Sequence, residues 1–159
     1  MSRKLTKVRN WLAFILFSIG ALLISKPKTT EKVKAEEIEK RIKERLKDNS
    51  IIFLLMDEWY RLPTLESVKE FLRKDKTDLM KYKPTILDCD DFALRLLGNF
   101  QIPGWSDIAF GLLIGRHRQG PHAANILLTK DEIFYVEPQT DRIEPLSKKI
   151  WPKVWVIVM

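Results

Sequence analysis

Apolar positions along the chain change period several times, and each change marks an element. From Trp11 to Ile24 they run nearly unbroken for 14 positions, with Arg3, Lys4, Lys7 and Arg9 before the run and Lys26 and Lys28 after it. A basic region followed by an apolar one is the layout of an export signal, although a full span takes about 20 residues. Residues 1–25 therefore read as a signal-anchor or transmembrane segment, with a cleaved signal as the alternative. From Thr30 to Lys47 charge dominates, and Ile38, Ile42 and Leu46 recur every fourth position. That spacing gives a helix with a thin apolar edge, along which Glu36/Lys40 and Glu39/Lys43 can pair. Residues 26–49 read as a charged helical stalk, and the folded domain is expected over residues 50–159.

Within that domain Ile51–Met56 is a short apolar run. Leu65, Val68, Phe71 and Leu72 predict an amphipathic helix over 65–74. A second helix is expected from Asp88 to Phe100. Strand-like runs follow at Ile108–Ile114, His122–Leu128, Ile133–Val136 and Val154–Met159. Helices followed by a meander of strands are an α+β order.

Charge narrows the choice of partner. The formal net charge is +7, but residues 1–50 hold 13 Lys/Arg against 6 Asp/Glu, and residues 51–159 hold 15 of each. The expected domain is neutral, a poor match for a polyphosphate, so nucleic acid is not an expected partner. With one cysteine no intramolecular disulfide forms, and the thiol asks for another explanation.

That thiol lies in Ile86-Leu87-Asp88-Cys89-Asp90-Asp91-Phe92-Ala93. Asp88 suits a helix N-cap, and Asp90 and Asp91 in the first turn complement the dipole. Capping explains the three aspartates better than chelation does, so no metal and no cofactor is expected. Cys89 shares the apolar face of Phe92 and Ala93, at a helix N-terminus that favours thiolate. A small apolar role for the side chain is the alternative.

The runs His122–Leu128 and Ile133–Thr140 flank the charged tetrapeptide Thr129-Lys130-Asp131-Glu132, which predicts an antiparallel hairpin. If Leu128 pairs with Ile133, His122 lies opposite Gln139 and diagonal to Glu137, all on one face. Either residue could orient the imidazole. Tyr60 and Trp105 are the aromatic residues expected to line a cleft. His117, among Arg116, Arg118 and Gln119, reads as a solvated side chain.

Asp88-Cys89-Asp90-Asp91-Phe92-Ala93, then His122-Ala123, then Tyr135-Val136-Glu137-Pro138-Gln139-Thr140 resembles the transglutaminase-like, papain-like cysteine peptidase superfamily. The resemblance implies a papain/transglutaminase-like α+β fold, with a nucleophile helix on a small antiparallel sheet. It implies Cys89 as nucleophile, His122 as base and Glu137 as orienting group, with Gln139 able to take that last role. The expected function is thiol-dependent acyl transfer, either amide hydrolysis or transfer to an amine. A peptide or protein substrate is expected, in a membrane-anchored domain outside the cytoplasm. The alternative is a catalytically inactive binding module of the same fold that recognises a surface glycan or a protein partner.

Overall fold

Every residue from Ala123 to Leu128 is at most 3% exposed. A strand dry on both faces needs apolar packing above and below it, and that requirement sets the architecture. The computed structural model describes residues 25–159. Its elements run β1 (Thr29–Lys34), α1 (Ala35–Leu46), β2 (Ile52–Leu54), β3 (Trp59–Pro63), α2 (Leu65–Lys74), a 3-10 turn (Thr77–Leu79), α3 (Cys89–Phe100), β4 (Phe110–His117), β5 (Gly120–Leu128), β6 (Ile133–Glu137), β7 (Arg142–Pro145) and β8 (Lys153–Val158). A six-stranded sheet has the order β2-β8-β4-β5-β6-β7, and β1 and β3 form a separate two-stranded ribbon. β2 lies parallel to β8, while the other neighbours in the large sheet are antiparallel.

Alternation along β5 sorts the core onto the two faces. Ala124, Ile126 and Leu128 join Ile38, Ile42 and Leu46 of α1, together with Leu113, Tyr135, Trp151 and Ile157. Leu127 points the other way, to Val68, Phe71, Leu96 and Phe100 of α2 and α3. There Phe100 stacks between Phe71 and Phe110, at 3.9 Å between ring centroids on each side. Asn125, on the same side, donates to the carbonyls of Ala93 and Gly111 and so ties α3 to the sheet. Where β4 meets β8 the register shifts between Ile114 and Gly115. A Cβ on Gly115 would run into the Lys153 carbonyl, which explains the glycine.

Three expectations are corrected here. The segment read as a charged stalk belongs to the domain: Ile38 and Ile42 are 0% exposed and Leu46 is 2% exposed. Its charges serve the same docking. Arg41 donates to the carbonyls of Thr129 and Lys130 at 2.9 Å, and Arg45 pairs with Glu132, so α1 is fastened across the β5–β6 turn. The expected small antiparallel sheet with one helix on it is instead a larger, mixed sheet between two helical layers, in a molecule richer in strand than in helix. The expected membrane-anchored localisation finds no support among the described residues, where no helix is long and apolar enough to cross a membrane. The expected anchor itself falls on residues 1–24, outside the described residues.

Candidate functional site

The β5–β6 hairpin pairs Leu128 with Ile133 and Asn125 with Val136, the expected register. β6 ends at Glu137, so Gln139 lies in the following turn and not opposite His122. His122 Nε2 meets Glu137 Oε2 at 2.8 Å, with the two side chains 20% and 14% exposed. A carboxylate only accepts, so Nε2 is the donor in this bond. The Gln139 backbone N–H donates to Glu137 Oε1 at 3.4 Å. Glu137 thus meets the imidazole directly, and Gln139 reaches Glu137 through its backbone N–H.

Around that pair the aromatic residues close a box. Trp151 stacks on His122 at 5.9 Å and 23°, and His117 lies 5.7 Å from His122 and 5.4 Å from Trp151. His117 is 5% exposed, which corrects its reading as a solvated side chain. Burial first, and then the charges of His122 and Arg118, hold its imidazole below the ordinary histidine range. The Tyr135 hydroxyl donates to Glu144 at 2.8 Å, and Arg142 in turn donates to Tyr135.

Cys89 opens α3, capped by Asp88 with a full capping box to Asp91. The Asp88 N–H donates to the Asp91 carboxylate at 3.0 Å. Asp90 is pushed up by its hydrogen bond to Asp88. The donor atoms of Asp88, Cys89 and Asp90 lie within 4.8 Å of one another, but the capping bonds already account for Asp88. The thiol packs against the Ala93, Leu112 and Ala123 cluster beside Ile114 and Val158. His122 instead has His117 and Trp151 around it, and Trp151 belongs to the core on the α1 face. Strand alternation explains the split: Ala123 faces α3, and its neighbour His122 faces away. Among the described residues no hydrogen bond joins the Cys89 thiol to the His122 ring.

Tyr60 and Trp105, expected to line a cleft, are core residues. Tyr60 is 1% exposed, and its hydroxyl donates to the Met159 carbonyl at 3.0 Å. Trp105 is 2% exposed, packs on Phe71 and Phe100, and donates Nε1–H to the Ser25 carbonyl. Trp59, the neighbour of Tyr60 in the same polar aromatic stretch over residues 57–63, is 37% exposed and does reach the surface. Period-two alternation through Trp59-Tyr60-Arg61-Leu62 was the available signal, since an inward Tyr60 forces Trp59 outward. Trp59 stands in an open hollow of about 420 Å³ with Lys32, Asp57, Glu58, Gln101, Ser106 and Asp107.

Comparison with known proteins fixes the relationships. No curated protein matches the chain in sequence. Among solved structures, a PSL1a-E64 complex superposes with a TM-score of 0.68 at 18% identity, covering 80% of this chain and 51% of the other. Polyporus squamosus lectin bound to the human-type influenza-binding epitope Neu5Aca2-6Galb1-4GlcNAc superposes with a TM-score of 0.64 at 19% identity, covering 80% of this chain and 49% of that one. The chain thus spans about half the length of these structural neighbours. These findings overturn the transglutaminase-like, papain-like cysteine peptidase resemblance and the fold class drawn from it. The model of the Agglutinin C-terminal family matches residues 60–143, more than half of the sequence, and the chain belongs to that family.

Proposed function

We propose that this chain is a recognition module whose ligand is a carbohydrate. The observation that carries the reading is the match of residues 60–143 to the Agglutinin C-terminal family. The likeness of the fold to Polyporus squamosus lectin, itself bound to a sialylated trisaccharide, supports it. Fold alone does not fix function, so the surface has to supply the chemistry. Exposed polar side chains around an indole supply it, because a sugar needs many hydrogen-bond partners and one flat apolar face. The test is an immobilised glycan panel that includes Neu5Aca2-6Galb1-4GlcNAc and its desialylated form, probed with the full chain. Retention on at least one glycan, competed by the same sugar in solution, is expected. Failure to bind any glycan in the panel overturns the reading.

A second reading rests on a different observation, the 2.8 Å contact between His122 and Glu137. With Cys89 at the start of α3, those residues are the parts of thiol-dependent acyl transfer: a nucleophile, a base and an orienting carboxylate. The thiol would attack an acyl carbon, His122 would take its proton and return it to the leaving group, and Glu137 would hold the ring. For this the Cys89 thiol and His122 Nδ1 must meet at the edge of the sheet where β5 begins. Iodoacetamide labelling of the full chain decides the point. Fast alkylation of Cys89 that His122→Ala slows at least about tenfold favours acyl transfer, whereas a rate indifferent to His122 removes that reading.

A further inference from the structure

We propose that His117 is a positioning residue for His122, locking the β4–β5 turn through its Nδ1, an inference that rests on the acyl-transfer reading above. Only Arg118 and Gln119 separate the paired residues His117 and Gly120, and His122 follows two positions later. Whatever fixes this short turn therefore fixes the backbone that carries the imidazole. Both of its amides are held. The Arg118 N–H donates to the Ile150 carbonyl at 2.8 Å, which ties the turn to the segment entering Trp151. The Gln119 N–H donates to His117 Nδ1 at 3.3 Å.

The His117 ring is also a wall of the seat in which His122 lies. It stands 5.7 Å from His122 and 5.4 Å from Trp151, and Trp151 stacks on His122 at 5.9 Å and 23°. With Glu137 Oε2 at 2.8 Å from Nε2, the imidazole is held at one nitrogen and by two rings. Packing and supporting hydrogen bonds of this kind hold a reacting group in its working orientation. A phenyl ring at position 117 would fill the same space but would leave the Gln119 amide without its acceptor.

The lock requires a neutral His117. A backbone N–H only donates, so Nδ1 supplies the lone pair and is unprotonated while the bond stands. Its surroundings favour that state. His117 is 5% exposed, and burial holds it below the ordinary histidine range. His122, Arg118 and Arg142 push the same way, against Glu137. Tyr135, whose ring lies 6.2 Å away, is bonded to Glu144 and Arg142. The lock is therefore closed at neutral pH, and acid opens it by taking the lone pair from Gln119.

The experiment compares the isotope-labelled full chain with two variants. His117→Phe keeps a ring and deletes the acceptor, whereas His117→Asn places an amide oxygen where Nδ1 stands. The readouts are the low-field Nε2–H signal of His122 and the rate of Cys89 alkylation by iodoacetamide at neutral pH. The signal is expected in the wild type and in His117→Asn, and is expected to vanish into solvent exchange in His117→Phe. Alkylation should slow at least about fivefold in His117→Phe and stay within about twofold in His117→Asn. The reverse ranking, or the same signal in both variants, overturns the inference. Should His117→Phe fail to fold, an acid titration of the wild type decides. The Nε2–H signal is expected to disappear as the His117 ring protonates, and a signal that outlasts that protonation overturns the lock. If His122→Ala leaves alkylation unchanged, the acyl-transfer reading falls, and the Nε2–H signal still decides what positions His122.

Discussion

Helices α1 and α3 lie on opposite faces of the same sheet and invert what their compositions suggest. α1, Ala35–Leu46, carries eight charged side chains in twelve residues, yet Ile38, Ile42 and Leu46 are sealed in the core. α3, Cys89–Phe100, is the more apolar helix, yet Leu94 is 53% exposed on it. Burial follows which stripe meets the sheet, and three aliphatic side chains at spacing four are enough to seat a helix. The charges on α1 then add specificity, because Arg41 and Arg45 reach the far turn of the β5–β6 hairpin.

The severest way to break that comparison is to remove α1. A chain beginning at Ser50 loses β1 and the three buried aliphatic residues of the α1 face. Truncating one such side chain costs about 2–5 kcal/mol, and a domain holds only about 5–15 kcal/mol in total. We expect the shortened chain to show no cooperative thermal transition by circular dichroism. A cooperative melt close to that of the full chain would return the segment to the role of a solvated stalk.

A finer cut compares single positions on the two helices. Ile42→Ala should cost about 3 kcal/mol, and Leu94→Ala no more than about 0.5 kcal/mol, although the residues differ little in hydrophobicity. Urea titrations of both variants give the ranking, and equal losses would show that composition, not placement, sets stability.

The smallest effect concerns Asp141, in the turn before β7. It sits at φ 54°, and its Oδ1 is buried without a hydrogen-bond partner among the described residues. Burial first, and then Asp78 and Asp75, push its carboxyl up to about 6. The folded state therefore binds this proton more tightly than the unfolded chain does. Stability from this group falls as pH rises from about 4 to about 6, the reverse of an ion-paired carboxylate. Asn keeps the shape and tolerates the left-handed backbone, so Asp141→Asn should raise Tm by roughly 2–4 °C at pH 7 and hardly at all at pH 4. An equal gain at both pH values would trace the effect to something other than charge.

Some of this was legible in the sequence. Alternation on either side of a charged four-residue turn specified the hairpin register, and with it the approach of Glu137 to His122. Asp88 and the first-turn acids specified the start of α3. What escaped reading was tertiary in origin. Nothing local in a Lys/Glu/Arg-rich segment says that Leu113, Ile126 and Ile157 wait across the sheet to cover Ile38 and Ile42. His117 looks solvated among Arg116, Arg118 and Gln119, but Tyr135 and Trp151, distant in sequence, pack against it. The cysteine, histidine and glutamate motifs were each read correctly as local structure. What no local pattern gives is where the thiol and the imidazole stand across the sheet: Cys89 packs beside Ala123, and the adjacent position on β5 is His122, which meets Glu137.

The central claim is carbohydrate recognition that does not depend on the thiol, and one measurement addresses both parts. The full chain and its Cys89→Ala variant are probed side by side on the same glycan panel. The account predicts that both bind the same glycans with affinities within about twofold, since the Cys89 thiol packs against Ala93, Leu112 and Ala123. No glycan bound by either protein, or binding lost with the thiol alone, would contradict it.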